Sequence, residues 1–94
     1  MTQPNPISRN QLRAARALLD LTQATVCDRV SMSLITLRRI EGRPDHTGLI
    51  SAHSLRQLRS FYEAEGVQFL DEGDGEGGEG VRLRTPRPAQ AAGV

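Results

Sequence analysis

The sequence contains no lysine, no tryptophan and a single cysteine, and aromatic residues fill only 3% of its 94 positions. Each absence excludes something. With one thiol, Cys27, no disulfide can close within the chain. With two Phe and one Tyr, a core has to be assembled from Leu, Val, Ile and Ala. No apolar run approaches the ~18 residues that a membrane-crossing helix needs. The start, Met1 to Pro6, has neither the basic cluster nor the apolar stretch of a secretory signal, so a cytoplasmic location is expected. A chain this short makes one domain at most, and a lean domain often gains stability by pairing with a second copy.

Chemistry-bearing clusters are also scarce. His46 and His53 have no Cys or acid at ligand spacing, so no metal site is expected. The carboxylates between Asp71 and Glu79 lack the alternating order and closing Glu of a calcium loop. No nucleophile–base pairing and no phosphate-binding glycine motif occurs, which argues against an enzyme and against a cofactor. Cys27 is expected to be a small core residue rather than a redox sensor, which would need an exposed, low-pKa thiolate.

What is present is arginine, placed unevenly. All 12 basic residues are Arg, for a formal net charge of +1. Residues 1–70 carry nine of them against six acids, residues 71–80 hold five acids and no base, and residues 81–94 carry three Arg and no acid. A weakly basic body with a separate acidic loop permits nucleic-acid binding without demanding it.

Helical signals dominate the first two thirds. Ser8 with Gln11 three residues later forms a capping box that opens a first helix near Arg9. Leu12, Ala15, Arg16 and Leu19 then share one helical face. Arg16 is the exception on that apolar stripe, and a charge there needs a partner. Thr22 caps a second helix, Gln23 to Val30, with Val26, Cys27 and Val30 inward. After Ser31-Met32, Ser33 caps a third, Leu34 to Glu41, with Leu37 and Ile40 inward; Gly42, Arg43 and Pro44 stop it. Asp45 to Ile50 is a loop. Ser51 caps a fourth helix from Ala52 to about Glu65, with Leu55, Leu58 and Tyr62 on one face and Gly66 at its end.

After Gly66 the apolar period becomes two. Val67 and Phe69, then Val81 and Leu83, alternate with polar or outward positions across an acidic Gly-rich loop. Two short strands are expected, with those four residues on the covered face. An isolated hairpin is marginal in water, so it should dock on the fourth helix or on another chain. The predicted organisation is mainly α: a disordered arm over 1–6, a four-helix domain over 7–65, a β-hairpin over 66–84 and a disordered tail over 85–94.

Two short helices joined by a tight turn, the second one capped, make a helix-turn-helix, whose second helix fits the major groove. Here Gln23, Ala24, Val26, Cys27, Val30, Ser31, Met32, Ser33, Thr36, Leu37, Ile40 and Glu41 follow without a gap, and in this the sequence resembles the Cro/phage-repressor-like regulators, the XRE family. The resemblance runs from Gln11 to Glu41 and more loosely over Ser54-Leu55-Arg56-Gln57-Leu58. It implies a double-stranded DNA-binding transcription regulator, a nucleoid-associated repressor acting as a homodimer on a palindrome. It also implies an ion pair between Arg16 and Glu41 that ties the first helix to the end of the third. The turn residue, usually Gly in such regulators, is Ser31.

By the same resemblance, Thr22 and Gln23 meet a backbone phosphate at the start of the second helix. Ser33 and Thr36 offer hydroxyls to phosphate or base. Arg39, one turn beyond Ile35, suits a bidentate contact to guanine, while Arg38 and Arg43 suit phosphates. Leu34 and Ile35 stand where relatives carry polar base-readers, so they touch thymine methyl groups or else a protein partner. Val67, Phe69, Val81 and Leu83 are the expected dimer contact. Two other functions stay open: an antitoxin or adaptor that binds protein through Leu34, Ile35 or the hairpin, and a nonspecific nucleoid-type DNA binder. Charge reversal at Arg39 separates the first from a DNA regulator, and a ~10³ preference for one site separates the second.

Overall fold

A computed structural model of the chain describes residues 7–42 and 50–86; the expected arm over 1–6, Arg43, the rest of the loop to Leu49 and the tail from Arg87 lie outside them. Four helices come first, α1 (Arg9–Leu18), α2 (Gln23–Val30), α3 (Leu34–Glu41) and α4 (Ala52–Ala64). A two-stranded antiparallel hairpin follows, β1 (Val67–Leu70) and β2 (Gly80–Leu83). The fold is thus mainly α, with a hairpin appended. None of the described helices is long and apolar enough to cross a membrane.

The helices start where short hydroxyl side chains can serve their first amides. Ser8, Thr22, Ser33 and Ser51 each accept a hydrogen bond from the amide three residues on, which satisfies one of the donors a helix start leaves over. At Ser8 the box is complete, because its own amide donates to Gln11 Oε1 at 3.0 Å. The ends are equally local. A residue in the left-handed region closes each of the first two helices: Asp20 (φ 56°), just past the α1 cap Leu19, and Ser31 (φ 54°), the α2 cap itself. The following amides wrap back, Leu21 to the Arg16 carbonyl at 3.2 Å and Met32 to the Cys27 carbonyl at 3.0 Å. Both residues carry a β-carbon where glycine would be easier, a modest cost. α4 ends one residue before the expected Glu65, which is its cap, and Gly66 turns the chain with φ 100°.

One apolar core joins all the elements except β2. It holds Leu12 and Ala15 from α1, Val26, Cys27 and Val30 from α2, Leu37 and Ile40 from α3, Leu58 and Tyr62 from α4, and Val67 and Phe69 from β1. Tyr62 lies at its centre, its ring 5.3 Å from that of Phe61 and 6.5 Å from that of Phe69. The Arg59 guanidinium lies 5.5 Å over the Phe69 ring. Gln57 on α4 donates to the Val30 carbonyl at 2.6 Å, serving an acceptor that the end of α2 leaves over.

Two expectations change here. Leu34 is half-buried and packed against the core. It sits three residues before Leu37 and seven before Glu41, so it flanks the inward face of α3. Val67 and Phe69, expected at a contact with a second copy, are 0% and 6% exposed in the single chain. The alternation correctly marks the covered side of β1, but Tyr62 and the rest of the core cover it. Val81 and Leu83, paired with Phe69 and Val67 in the ladder, are half-buried against the same core.

The hairpin is fastened to α1 at its loop end. Gln11 Nε2 donates to the Leu70 carbonyl at 2.9 Å and to the Gly80 carbonyl at 3.1 Å, across the pair that opens the loop. Ser8 Oγ donates to Glu79, which brings a carboxylate to the amino end of α1, where no acid lies in the first turn. Within the loop, Asp71 and Asp74 close a turn through Asp71 N to Asp74 Oδ2 at 2.8 Å and Asp74 N to the Asp71 carbonyl at 2.9 Å. The acidic loop, read from the sequence as a solvated linker, takes this turn because the Asp74 carboxylate reaches a nearby backbone amide.

Candidate nucleic-acid interface

α3 is eight residues long and has two distinct faces. Leu37, Ile40 and Glu41 are buried on the inner one. Ser33 at its cap, Ile35, Arg38 and Arg39 are exposed, with Thr36 half-buried between them. Arg38 and Arg39 form no ion pair among the described residues. Two guanidinium groups and one apolar side chain therefore share a single outward surface.

That surface is held from behind. Arg16 Nε and Nη2 reach the two carboxylate oxygens of Glu41 at 2.9 and 2.8 Å, and Arg16 Nη1 donates to the Leu21 carbonyl at 3.1 Å. Gln23 Nε2 donates to the same carboxylate at 3.1 Å. The end of α1, the start of α2 and the end of α3 are thereby joined at one buried carboxylate. Its hydrogen bonds hold the Arg16 guanidinium above its ordinary pKa, against the opposing effect of burial. Cys27 behind it is pushed up by burial, with Glu41 adding to the shift and Arg38 opposing it, so the thiol stays protonated. Burial also raises Tyr62 well above the usual phenol range.

The residues expected at a binding surface divide accordingly. Thr22 is exposed at the start of α2, and its Oγ1 donates to Thr25 Oγ1 at 2.9 Å. Ser33 Oγ makes the matching bond to Thr36 Oγ1 at 2.8 Å. Gln23 lies half-buried beside them, with one amide hydrogen on Glu41. Leu34 turns toward the core, whereas Ile35, Arg38 and Arg39 turn out. Arg43 falls outside the described residues.

Thr25 beside Thr22, and Ser51 and Ser54 beside Thr36 and Arg39, are not among the binding residues expected from the sequence. Ser51 Oγ donates to Ser54 Oγ at 2.8 Å, the third hydroxyl couple at a helix start. Both line a cleft of about 230 Å³ with Thr36, Arg39, Ile40 and Ile50. Their signal is in the sequence: Thr22, Ser33 and Ser51 are each followed by a hydroxyl residue three positions later.

The acidic loop is carried elsewhere. The hairpin packs chiefly on α1 and α4, whereas α3 packs chiefly on α1 and α2. Among the described residues no group of three or more His, Cys, Asp or Glu is arranged to hold a metal ion. No protein-family profile matches this chain and no curated protein is significantly similar to it.

Proposed function

We propose that this chain is a sequence-specific, double-stranded DNA-binding transcription regulator in which α2 and α3 form a helix-turn-helix and α3 enters the major groove. The observation that carries it is the outward face of α3, where Arg38 and Arg39 stand exposed, without an ion pair among the described residues, while the inner face and the helix end are locked through Glu41. A rigid helix with free guanidinium groups suits an anionic groove whose base edges differ from pair to pair.

The roles follow from position. Arg39 gives a bidentate contact to guanine O6 and N7, and Arg38 contacts phosphate. The amino end of α2, with Thr22 and the free amide hydrogen of Gln23, receives a backbone phosphate. Ser33 and Thr36 contribute hydroxyl groups at the groove edge. Two copies on a palindrome set half-sites about one helical turn apart, ~34 Å, and a bound pair represses by blocking access to the promoter.

The test is selection from a random duplex library, followed by affinity measurements on the enriched duplex and a scrambled one from 50 to 200 mM salt. A preference of ~10³ or more, weakening steeply with salt, is expected. Equal affinity for both duplexes would make the chain a nonspecific binder. No binding at low salt would shift its function to a protein partner, with the exposed Ile35 as the anchor.

A further inference from the structure

We infer that Ile35 is a specificity-determining residue that contacts the C5-methyl group of a thymine, within about two base pairs of the guanine read by Arg39; this rests on the DNA-binding role proposed above. Ile35 is 70% exposed, and among the described residues no other large hydrophobic side chain is exposed. The fold has no use for it. Leu37 and Ile40 supply the core contacts of α3, and Leu34 flanks them.

Its neighbours specify the partner. Ser33 and Thr36 lie on either side in sequence, and Arg38 and Arg39 follow one turn on. A partner that matches this face is anionic and hydrogen-bonding around a small apolar spot. The major groove has this composition: phosphates on its rims, polar base edges on its floor, and the thymine methyl as the apolar group on those edges. A β-branched side chain in a helix is held to essentially one χ1 rotamer, so the branch point of Ile35 and its Cγ2 methyl arrive at a defined place instead of sweeping the groove. Ile35 and Arg39 are four residues apart, about 6 Å along the helix, which spans roughly two base-pair steps.

The experiment uses the full chain and the duplex enriched by selection, with each thymine replaced in turn by deoxyuridine, which deletes only the methyl group. One thymine per half-site should be sensitive, losing about fourfold in affinity, the worth of one buried methyl. Ile35→Ala should bind the thymine and uracil duplexes alike, and Ile35→Val should keep part of the preference. Thermal unfolding of the variants checks that the exposed substitution leaves the fold intact. Because the library carries unmodified cytosine, a methyl effect can come only from thymine. If no thymine is sensitive in the wild type, or if Ile35→Ala remains as sensitive, the inference is overturned while DNA binding stands. If no duplex is enriched, both fail together.

Discussion

Arg16 and Glu41, 25 residues apart in sequence, meet in a two-pronged ion pair whose two ends differ in exposure, 24% for the arginine side chain and 2% for the glutamate. The carboxylate has left water almost completely, and its compensation is Arg16 with the amide of Gln23. Breaking such a pair from one side strands a buried charge or its partner.

Glu41→Gln should therefore lower the unfolding free energy by about 3 kcal/mol, near the low end for a buried pair because Arg16 keeps some water. Arg16→Met combined with Glu41→Gln should lose clearly less than the two single changes added together. Urea unfolding of the four proteins measures this coupling. Strict additivity would mean that the pair contributes nothing of its own.

Gln11 serves three backbone groups with one side chain: it accepts from the Ser8 amide and donates to the Leu70 and Gly80 carbonyls. Gln11→Glu keeps the acceptor but turns a carboxylate toward two carbonyl oxygens. At neutral pH it should cost about 1 kcal/mol more than Gln11→Ala, which merely leaves those carbonyls unserved. Amide hydrogen exchange should quicken first in β1 and β2. Uniform quickening over the whole chain would show that the hairpin does not open separately.

Tyr62 Oη is buried and hydrogen-bonded to none of the described residues. Its pKa lies above the ordinary 10.0, raised by burial and then by Glu41, and that of Cys27 lies above 9.0 for the same reasons. Raised acids bind their protons more tightly in the fold than in the unfolded chain. Their contribution is complete below the unfolded values and is lost as pH rises past them. Stability should thus decline above about pH 9, as the unfolded thiol and then the phenol ionise. Tyr62→Phe should gain about 1 kcal/mol by removing an unserved hydroxyl, and it should flatten the upper part of that decline. Denaturant unfolding between neutral and alkaline pH tests both. A loss on removing the hydroxyl would reveal a hidden partner.

If α3 reads DNA as proposed, its two arginines should fail differently. Arg39→Ala should relax the choice of base at one position per half-site by tenfold or more. Arg38→Ala should weaken all duplexes alike and reduce the salt slope by about one. Competition binding against single-base variants distinguishes them, and identical profiles would place both on phosphate.

Much of the fold is legible in the sequence because its signals are short-range. A hydroxyl at a helix start serves an amide three residues away, so Ser8, Thr22, Ser33 and Ser51 mark their helices directly. Arg16 announces itself as a charge on an apolar stripe. The remaining features are decided by parts of the chain that meet only in three dimensions. Nothing near Gln11 indicates that carbonyls about 60 and 70 positions on will take its hydrogens. The alternation of Val67 and Phe69 indicates that something covers them, but whether Tyr62 or a second chain does so depends on where α4 lies. Gln23 stands at the expected helix start, yet its bond to Glu41 is set by the docking of α3.

The contact between Ser8 and Glu79, 71 residues apart, also has a temporal side. α1 receives its outer carboxylate from Glu79, and the second acceptor for Gln11 from Gly80, only once the chain has been made through the acidic loop to the start of β2. Until Val81 and Leu83 emerge, Phe69 and Val67 lack the strand that pairs with them, however well the helices have assembled. Docking of the hairpin therefore waits for β2, and a chain interrupted in the acidic loop would display β1 with both edges unpaired.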